Sequence, residues 1–290
     1  MSDLPLPDLP IPTAPTGPFT LAIDIGGTGL KASVLDSAGA MIHERVRVKT
    51  TYPLSPTAMV DRLVALVEPL PRADRTAIGF PGIVRGGLVL TAPHFVTVAG
   101  PGTAIDPGLR AAWDRFPLAD RMAQRLGHPV RMANDADLQG LAVRGGVGLE
   151  LVVTLGTGFG TAIFANGRLA PHMDFSHHLF RKGETYNEQL GDAARKKAGN
   201  SKWVRRVRLA LDALDRLMIY DRVYVGGGNA RHLPTNLGPK VTLIDPDAGI
   251  TGGVALWQSA DDPTNLGALP DLGIDPVTIV RDLDEGRDAR

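Results

Sequence analysis

The chain of 290 residues has no cysteine, which excludes disulfides, thiolate metal sites and a cysteine nucleophile, and lends no support to secretion. An excess of one charge is equally absent. With 31 basic side chains against 31 acidic ones, bulk electrostatics gives no reason to expect affinity for nucleic acid or a membrane surface. No apolar run approaches the roughly 18 residues needed to span a bilayer, and the N-terminus has neither the basic start nor the apolar stretch of a signal peptide. A cytoplasmic protein with no membrane and no nucleic-acid partner is the expectation. Aromatic residues are scarce at 5%, whereas glycine contributes 34 residues and proline 23. The information is therefore expected in glycine turns. At about twice the length of an average domain, the chain has room for two lobes or one large α/β unit.

Residues 1–18 carry six prolines, a composition that favours extended backbone and cannot build a packed core. From Phe19 the text becomes a β-rich run to Asp24, then Gly26-Gly27-Thr28-Gly29, then a second apolar run ending near Leu35. A third strand is predicted from Met41 to Val48. Ser55-Pro56 opens a helix carrying Met59, Val60, Leu63, Val64 and Val67 on one face. A strand at Thr76–Phe80, a hairpin across Arg85-Gly86-Gly87 ending near His94, and a mostly looped stretch from Val96 to Leu109 follow. The second half repeats this grammar: strand Leu149–Leu155, turn Gly156-Thr157-Gly158, strand Gly160–Phe164, and Asn166-Gly167 as a type I′ turn. Helices are predicted at Asn187–Lys197, Ser201–Ile219 and Ala248–Gln258, with strands at Arg222–Val225 and Val241–Ile244. The expected organisation is a proline-rich tail (1–18), an N-terminal α/β lobe (19–133), a C-terminal α/β lobe (134–260) and a mostly irregular tail (261–290), in which Val277–Leu283 could pair locally.

A glycine turn between strands leaves backbone N–H groups uncovered, so anionic oxygens can approach them. One such turn is as well explained by a plain hairpin. Two in register, 130 residues apart, suggest a duplicated hairpin facing one polyphosphate chain across a cleft. Neither turn has Walker spacing, and neither leads into a helix as a dinucleotide fingerprint does. Asp24, at the end of an apolar strand, is costly to bury unless it meets a cation or donors. A magnesium ion bridging phosphates suits it, with a turn-capping aspartate as the alternative. Asn134-Asp135-Ala136-Asp137 sits at the C-terminal end of strand Val130–Met132, where α/β folds bind ligands. Asp135 is a candidate proton acceptor for phosphoryl transfer to a hydroxyl, with Asn134 fixing that hydroxyl; a helix N-cap is the plainer reading.

Together, Asp24-Ile-Gly-Gly-Thr-Gly-Leu-Lys31, Asn134-Asp135-Ala-Asp, Leu155-Gly-Thr-Gly-Phe-Gly160 and Val225-Gly-Gly-Gly-Asn229 resemble, in order and spacing, the ROK family of sugar kinases within the actin-like ATPase superfamily. The text looks closest to the polyphosphate/ATP glucokinase branch, and the likeness runs from about Thr20 to Trp257. The resemblance implies an α/β, two-lobed actin-like ATPase (ribonuclease H-like) fold with duplicated βββαβα cores and a central cleft. It implies Asp135 as base and Asp24 on the magnesium side, meeting the metal through water. Gly27, Thr28, Gly156, Thr157 and Gly158 become phosphate loops, with Lys31 near phosphate or simply solvated. Gly226, Gly227 and Gly228 fall on the nucleoside side. A hexose substrate, ATP or inorganic polyphosphate as donor, and a homodimer complete the expectation.

Sugar recognition departs from the family pattern. Where many members carry Glu-x-Gly-His and then a second Glu, this chain has Asp174-Phe-Ser-His177-His178-Leu179. Asp174 and His177 are expected on the sugar, Leu179 or its neighbour replaces a carboxylate, and His94 stands where the family often has Asn. An unpaired buried hydroxyl costs roughly 1 to 3 kcal/mol, enough to change the preferred hexose. The cysteine cluster that holds structural zinc in many members is missing, so no zinc is expected. Nine basic residues against three acidic ones between Arg181 and Arg208 could guide a polyanion or merely solvate helices. The leading expectation is a kinase acting on the 6-hydroxyl of glucose or a related hexose. The alternatives are a kinase for mannose or an N-acetylated hexose, and a non-catalytic sugar-binding regulator. Family regulators carry an N-terminal DNA-binding domain, which the short proline-rich stretch cannot form.

Overall fold

The computed structural model describes residues 15–244 and 248–258. Most of the proline-rich stretch, and the irregular tail predicted for 261–290 with its Val277–Leu283 segment, lie outside the described residues.

The first half begins with β1 (Thr20–Ile25) and β2 (Gly29–Leu35), an antiparallel hairpin across the first glycine turn. The third strand, β3 (Val46–Lys49), is shorter than the predicted Met41–Val48. Asp36 accepts from the N–H groups of Ala38 and Ala40, Met41 makes only an isolated bridge to Leu35, and the Ser33 hydroxyl donates to the His43 carbonyl, so ladder pairing starts at Val46. Next comes α1 (Pro56–Val67), capped as predicted by the Ser55 hydroxyl on the Ala58 N–H, with Met59, Val60, Leu63 and Val67 buried. Then follow β4 (Arg75–Phe80) and the small hairpin β5 (Val84–Arg85) and β6 (Leu88–Val89), which ends well before His94. Two helices, α2 (Pro107–Trp113) and α3 (Leu118–Leu126), bury Trp113, Leu118 and Met122. α3 was not predicted, although Leu118 and Met122 lie one turn apart and Gly127 stops the helix at φ +76°. β7 (Val130–Asn134) completes the sheet in the order β3-β2-β1-β4-β7.

α4 (Asp135–Val143) leads to the second half, where β8 (Leu149–Leu155), β9 (Phe159–Ala165) and β10 (Arg168–Leu169) form the meander predicted from the second glycine turn and Asn166-Gly167. Both turn residues have positive φ, 49° and 75°, as a type I′ turn requires. A two-stranded flap, β11 (Leu179–Arg181) and β12 (Glu184–Thr185), precedes α5 (Tyr186–Leu190), α6 (Asp192–Ala198) and α7 (Asn200–Met218). The single helix predicted over Asn187–Lys197 is broken because Gly191 is extended (ψ 167°) and the Asp192 N–H turns to the Gly156 and Thr157 carbonyls. β13 (Arg222–Gly226) and β14 (Val241–Leu243) extend the sheet in the order β10-β9-β8-β13-β14, and α8 (Ala248–Ala255) closes the described chain.

The two sheets have the same plan. In each, a meander of three strands is antiparallel, a fourth strand pairs in parallel with the first strand, and a fifth pairs in parallel with the fourth. This is the duplicated, actin-like α/β architecture with two mixed sheets. Packing between the halves is crossed. α4 leaves the first sheet but lies on the second, where Gly140 gives the Phe164 ring and Val152 room that a methyl would take. α8 follows the second sheet but lies on the first, with Gly253 against Ala22 and Ala77. The two helices meet where Gly252 abuts the Leu138 carbonyl. Such contacts need glycine, since a forced methyl in a close-packed interface costs about 1 to 3 kcal/mol. Beyond α8, Trp257 donates to the Thr76 carbonyl and lies under the guanidinium groups of Arg131 and Arg75, at 4.5 and 5.4 Å. No helix among the described residues is long and apolar enough to cross a membrane.

Candidate functional site

Strand ends from both sheets, with α4 and α8, surround a cleft of about 510 Å³, a size suited to a small-molecule ligand. Both glycine turns line it. Each closes with a short backbone bond, Gly26 N–H to the Gly29 carbonyl and Gly156 N–H to the Gly158 carbonyl, both at 3.0 Å. The remaining carbonyls are tied back. In the first turn Thr50 Oγ1 donates to Gly26, the Tyr52 hydroxyl to Gly27 (both 2.7 Å), and the Thr50 N–H to Thr28. In the second, Asn229 Nδ2 donates to Gly156 at 2.9 Å, and the Asp192 N–H reaches Gly156 and Thr157. Among the described residues the N–H groups of Gly27, Thr28, Thr157 and Gly158 make no hydrogen bond to protein. With acceptors engaged and donors left over, these turns suit anionic oxygens. The anchors Thr50, Tyr52 and Asn229, and Asn187, whose Oδ1 accepts from the Phe159 N–H at 3.0 Å, were missed in the sequence, because each acts from 20 or more residues away. Burial pushes Tyr52 up to about 12, which keeps its hydroxyl a donor.

Asp24 and Lys31 face each other across the β1–β2 ladder, and Lys31 Nζ donates to Asp24 Oδ2 at 2.8 Å. Both line the cleft. Lys31 is therefore the partner of Asp24 and not a purely solvated strand residue. No group of three or more acidic or histidine ligands assembles a metal cage among the described residues. Asp24, partly exposed beside the first turn, fits a magnesium ion carried mainly by phosphate and water, which is how magnesium usually binds.

Asp135 begins α4 in the same cleft. Its proton affinity is raised to about 7, first by burial and then by the Asp24 charge, while His172 and the Ala136 N–H pull the other way. Asn134 caps α4. Its Oδ1 accepts from Ala136 at 2.8 Å and its Nδ2 donates to the Gly82 carbonyl at 2.9 Å, so the amide expected to fix a sugar hydroxyl already has backbone partners. Asn134 therefore fills the capping role that competed with a catalytic reading in the sequence.

Asp174 and His177 line the cleft 3.9 Å apart (Oδ2 to Nε2), with Asp174 also accepting from Ser176 N–H. Leu179 is 62% exposed on the flap and is not part of the cleft lining. His94 is in the lining, its ring packed where a Gly27 methyl would be (3.1 Å), and burial lowers its basicity. Gly227 and Gly228 line the cleft, but Gly226 does not. It ends β13 beneath the Ile244 side chain, so the glycine there serves close packing. Of the basic stretch, only Arg195 and Lys196 reach the cleft. Both pair with Asp192, at 2.8 and 2.7 Å, and hold its carboxyl below the usual range, Lys196 first. Arg231 joins them from beyond β13. Arg206 and Arg208 turn instead to backbone carbonyls. His172, unpredicted, also lines the cleft and bonds to Asp137.

The chain belongs to the ROK family, whose model matches residues 20–173. Over 271 residues it is 28% identical to the polyphosphate glucokinase of Mycobacterium tuberculosis (strain CDC 1551 / Oshkosh), covering 88% of this chain and 96% of that protein. The crystal structure of inorganic polyphosphate/ATP-glucomannokinase from Arthrobacter sp. strain KM superposes with a TM-score of 0.68 at 28% identity, covering 84% of this chain and 98% of that one. An N-acetylmannosamine kinase of Escherichia coli (strain SE11) is 34% identical over 155 residues, 52% of this chain and 48% of that protein.

Proposed function

We propose that the protein transfers a phosphoryl group from ATP or inorganic polyphosphate to a hexose, with the 6-hydroxyl of glucose or a related hexose such as mannose as acceptor. One observation carries this reading: Asp135, with proton affinity near neutrality, shares a cleft with two glycine turns whose free groups are all donors. The long-range likeness to a polyphosphate glucokinase and to a glucomannokinase supports the same chemistry.

In this reading the leftover N–H groups of Gly27, Thr28, Thr157 and Gly158 hold the donor's oxygens, while Asp174, His177 and His94 face the sugar. Asp135 draws the proton from the attacking hydroxyl as its oxygen forms a bond to phosphorus and the bond to the leaving phosphate breaks. A carboxyl with affinity near 7 is matched to that task, being substantially ionised at neutral pH yet basic enough to accept a proton. Asp24 would hold magnesium, which would supply neutralisation of charge on the donor. Lys31 holds the Asp24 carboxylate in place.

The test is a panel of hexoses with ATP and polyphosphate in parallel, run with the natural chain and with Asp135→Asn. Turnover should fall by about 10³-fold or more in the variant while sugar affinity stays within a few-fold. Product from no pair of substrates, or near-natural turnover in the variant, would remove this reading.

A further inference from the structure

The negative charge in and beside the cleft comes from Asp135 on α4, Asp24 on β1 and Asp174 on the loop after β10, which line it, and from Asp137 on α4, which is buried; Asp192, also in the lining, is paired with Arg195 and Lys196. A phosphoryl donor would add more. Lys31, on β2, compensates Asp24. Beside Asp135, Asp137 and Asp174 is His172, which interacts with each of them; its side chain is only 9% exposed and its Nδ1 lies 3.0 Å from Oδ1 of Asp137, itself 2% exposed. His177 is 54% exposed and meets Asp174 only at 3.9 Å. Burial alone would make His172 less basic. The hydrogen bond to Asp137, then the charges of Asp137, Asp174 and Asp135, outweigh it and leave the imidazole more basic than usual.

We propose that His172, clamped by Asp137, is a positioning residue that carries a positive charge into the cleft and thereby holds Asp135 in its proton-accepting form. The physical need is plain. Burial and the Asp24 carboxylate both favour protonation of Asp135, and a protonated carboxyl cannot take a proton from a hydroxyl. The imidazolium opposes them, and a ring fixed on a buried carboxylate cannot swing away from its neighbour. Asp137 thus acts at one remove, by orienting and charging His172. This inference rests on reading Asp135 as the acceptor of the sugar's proton.

The first test is the pH dependence of kcat/KM for His172→Gln, which keeps a hydrogen-bond donor for Asp137 but no charge. Loss of the imidazolium raises the affinity of Asp135 for its proton, so the acid limb moves to higher pH. Activity at pH 6, relative to pH 8.5, should fall about threefold further than in the natural chain, with sugar KM within about twofold. A superimposable profile, whatever the absolute activity, would overturn the proposal, because a purely structural role would scale the curve without moving it.

The second test needs no substrate. Imidazole NMR titration of the full chain should find His172 titrating above the ordinary value of about 6.5, and lower in Asp135→Asn than in the natural chain. Titration at or below the ordinary value, or no response to Asp135→Asn, would overturn the coupling. This measurement decides the matter if His172→Gln does not fold, or if no sugar and donor pair gives product.

Discussion

The two glycine turns are built on the same ladder yet carry different chemistry. One step before the turn, β1 and β2 pair Asp24 with Lys31; at the matching step β8 and β9 pair Thr154 with Gly160. The first pair brings two charges to the cleft. The second brings a hydroxyl and an absence of side chain, with the Thr154 oxygen occupying the space a methyl at Gly160 would need. The anchors differ as well. The first turn is tied to side chains just beyond β3, the second to Asn229 and to the break between α5 and α6. Duplication therefore preserved a backbone shape that exposes N–H groups and let the side chains beside it specialise.

The contrast is broken most directly at the charged pair. Asp24→Asn should lower turnover by about 100-fold, whereas Thr154→Ala at the matching step should change it by less than about threefold. Steady-state kinetics at saturating magnesium distinguishes them, and equal losses would mean that the turns share the charge-handling work.

The anchors offer a finer comparison. Tyr52→Phe and Asn229→Ala each free one turn carbonyl to face the donor. Each should raise the donor KM by about tenfold, the effect of roughly 1.4 kcal/mol, with sugar KM unchanged. If only one variant responds, the donor lies against that turn alone.

The smallest expected effect separates Asp135 as a charge from Asp135 as a catalyst. A carboxyl whose folded-state affinity lies above its unfolded value leaves the folded chain holding the extra proton, so stability is lost as pH rises from about 4 toward 7. Asp135→Asn should therefore be more heat-stable than the natural chain at pH 8, by on the order of 1 kcal/mol because the group is partly open to the cleft, and indistinguishable at pH 4. Thermal unfolding at the two pH values checks this. A variant less stable at pH 8 would mean that the carboxylate is stabilised by its surroundings.

Much of this was legible in the text. The bounds of β8, the Ser55 cap of α1 and the Asn166-Gly167 turn follow from local rules that read a few residues at a time. The cleft residues Asp24, Asp135, Gly27 and Thr157 were legible because repeated glycine turns and a strand-end Asn-Asp are local signals too. The break at Gly191 was not, since it depends on carbonyls of a turn more than 30 residues earlier. Nor was the early end of strand pairing before β3, where a serine on the neighbouring strand captures a carbonyl the ladder would use.

Amino-acid order alone determined which backbone shapes recur and which side chains stand next to them, because periodicity, capping and turn preferences act over a few residues. Only the folded chain decided that Lys31 belongs to Asp24, that Gly226 serves packing, and that His172 closes on Asp137 across 35 positions. Those outcomes depend on burial, which sets both the cost of a charge and the partner that offsets it, and burial exists only once distant segments have met.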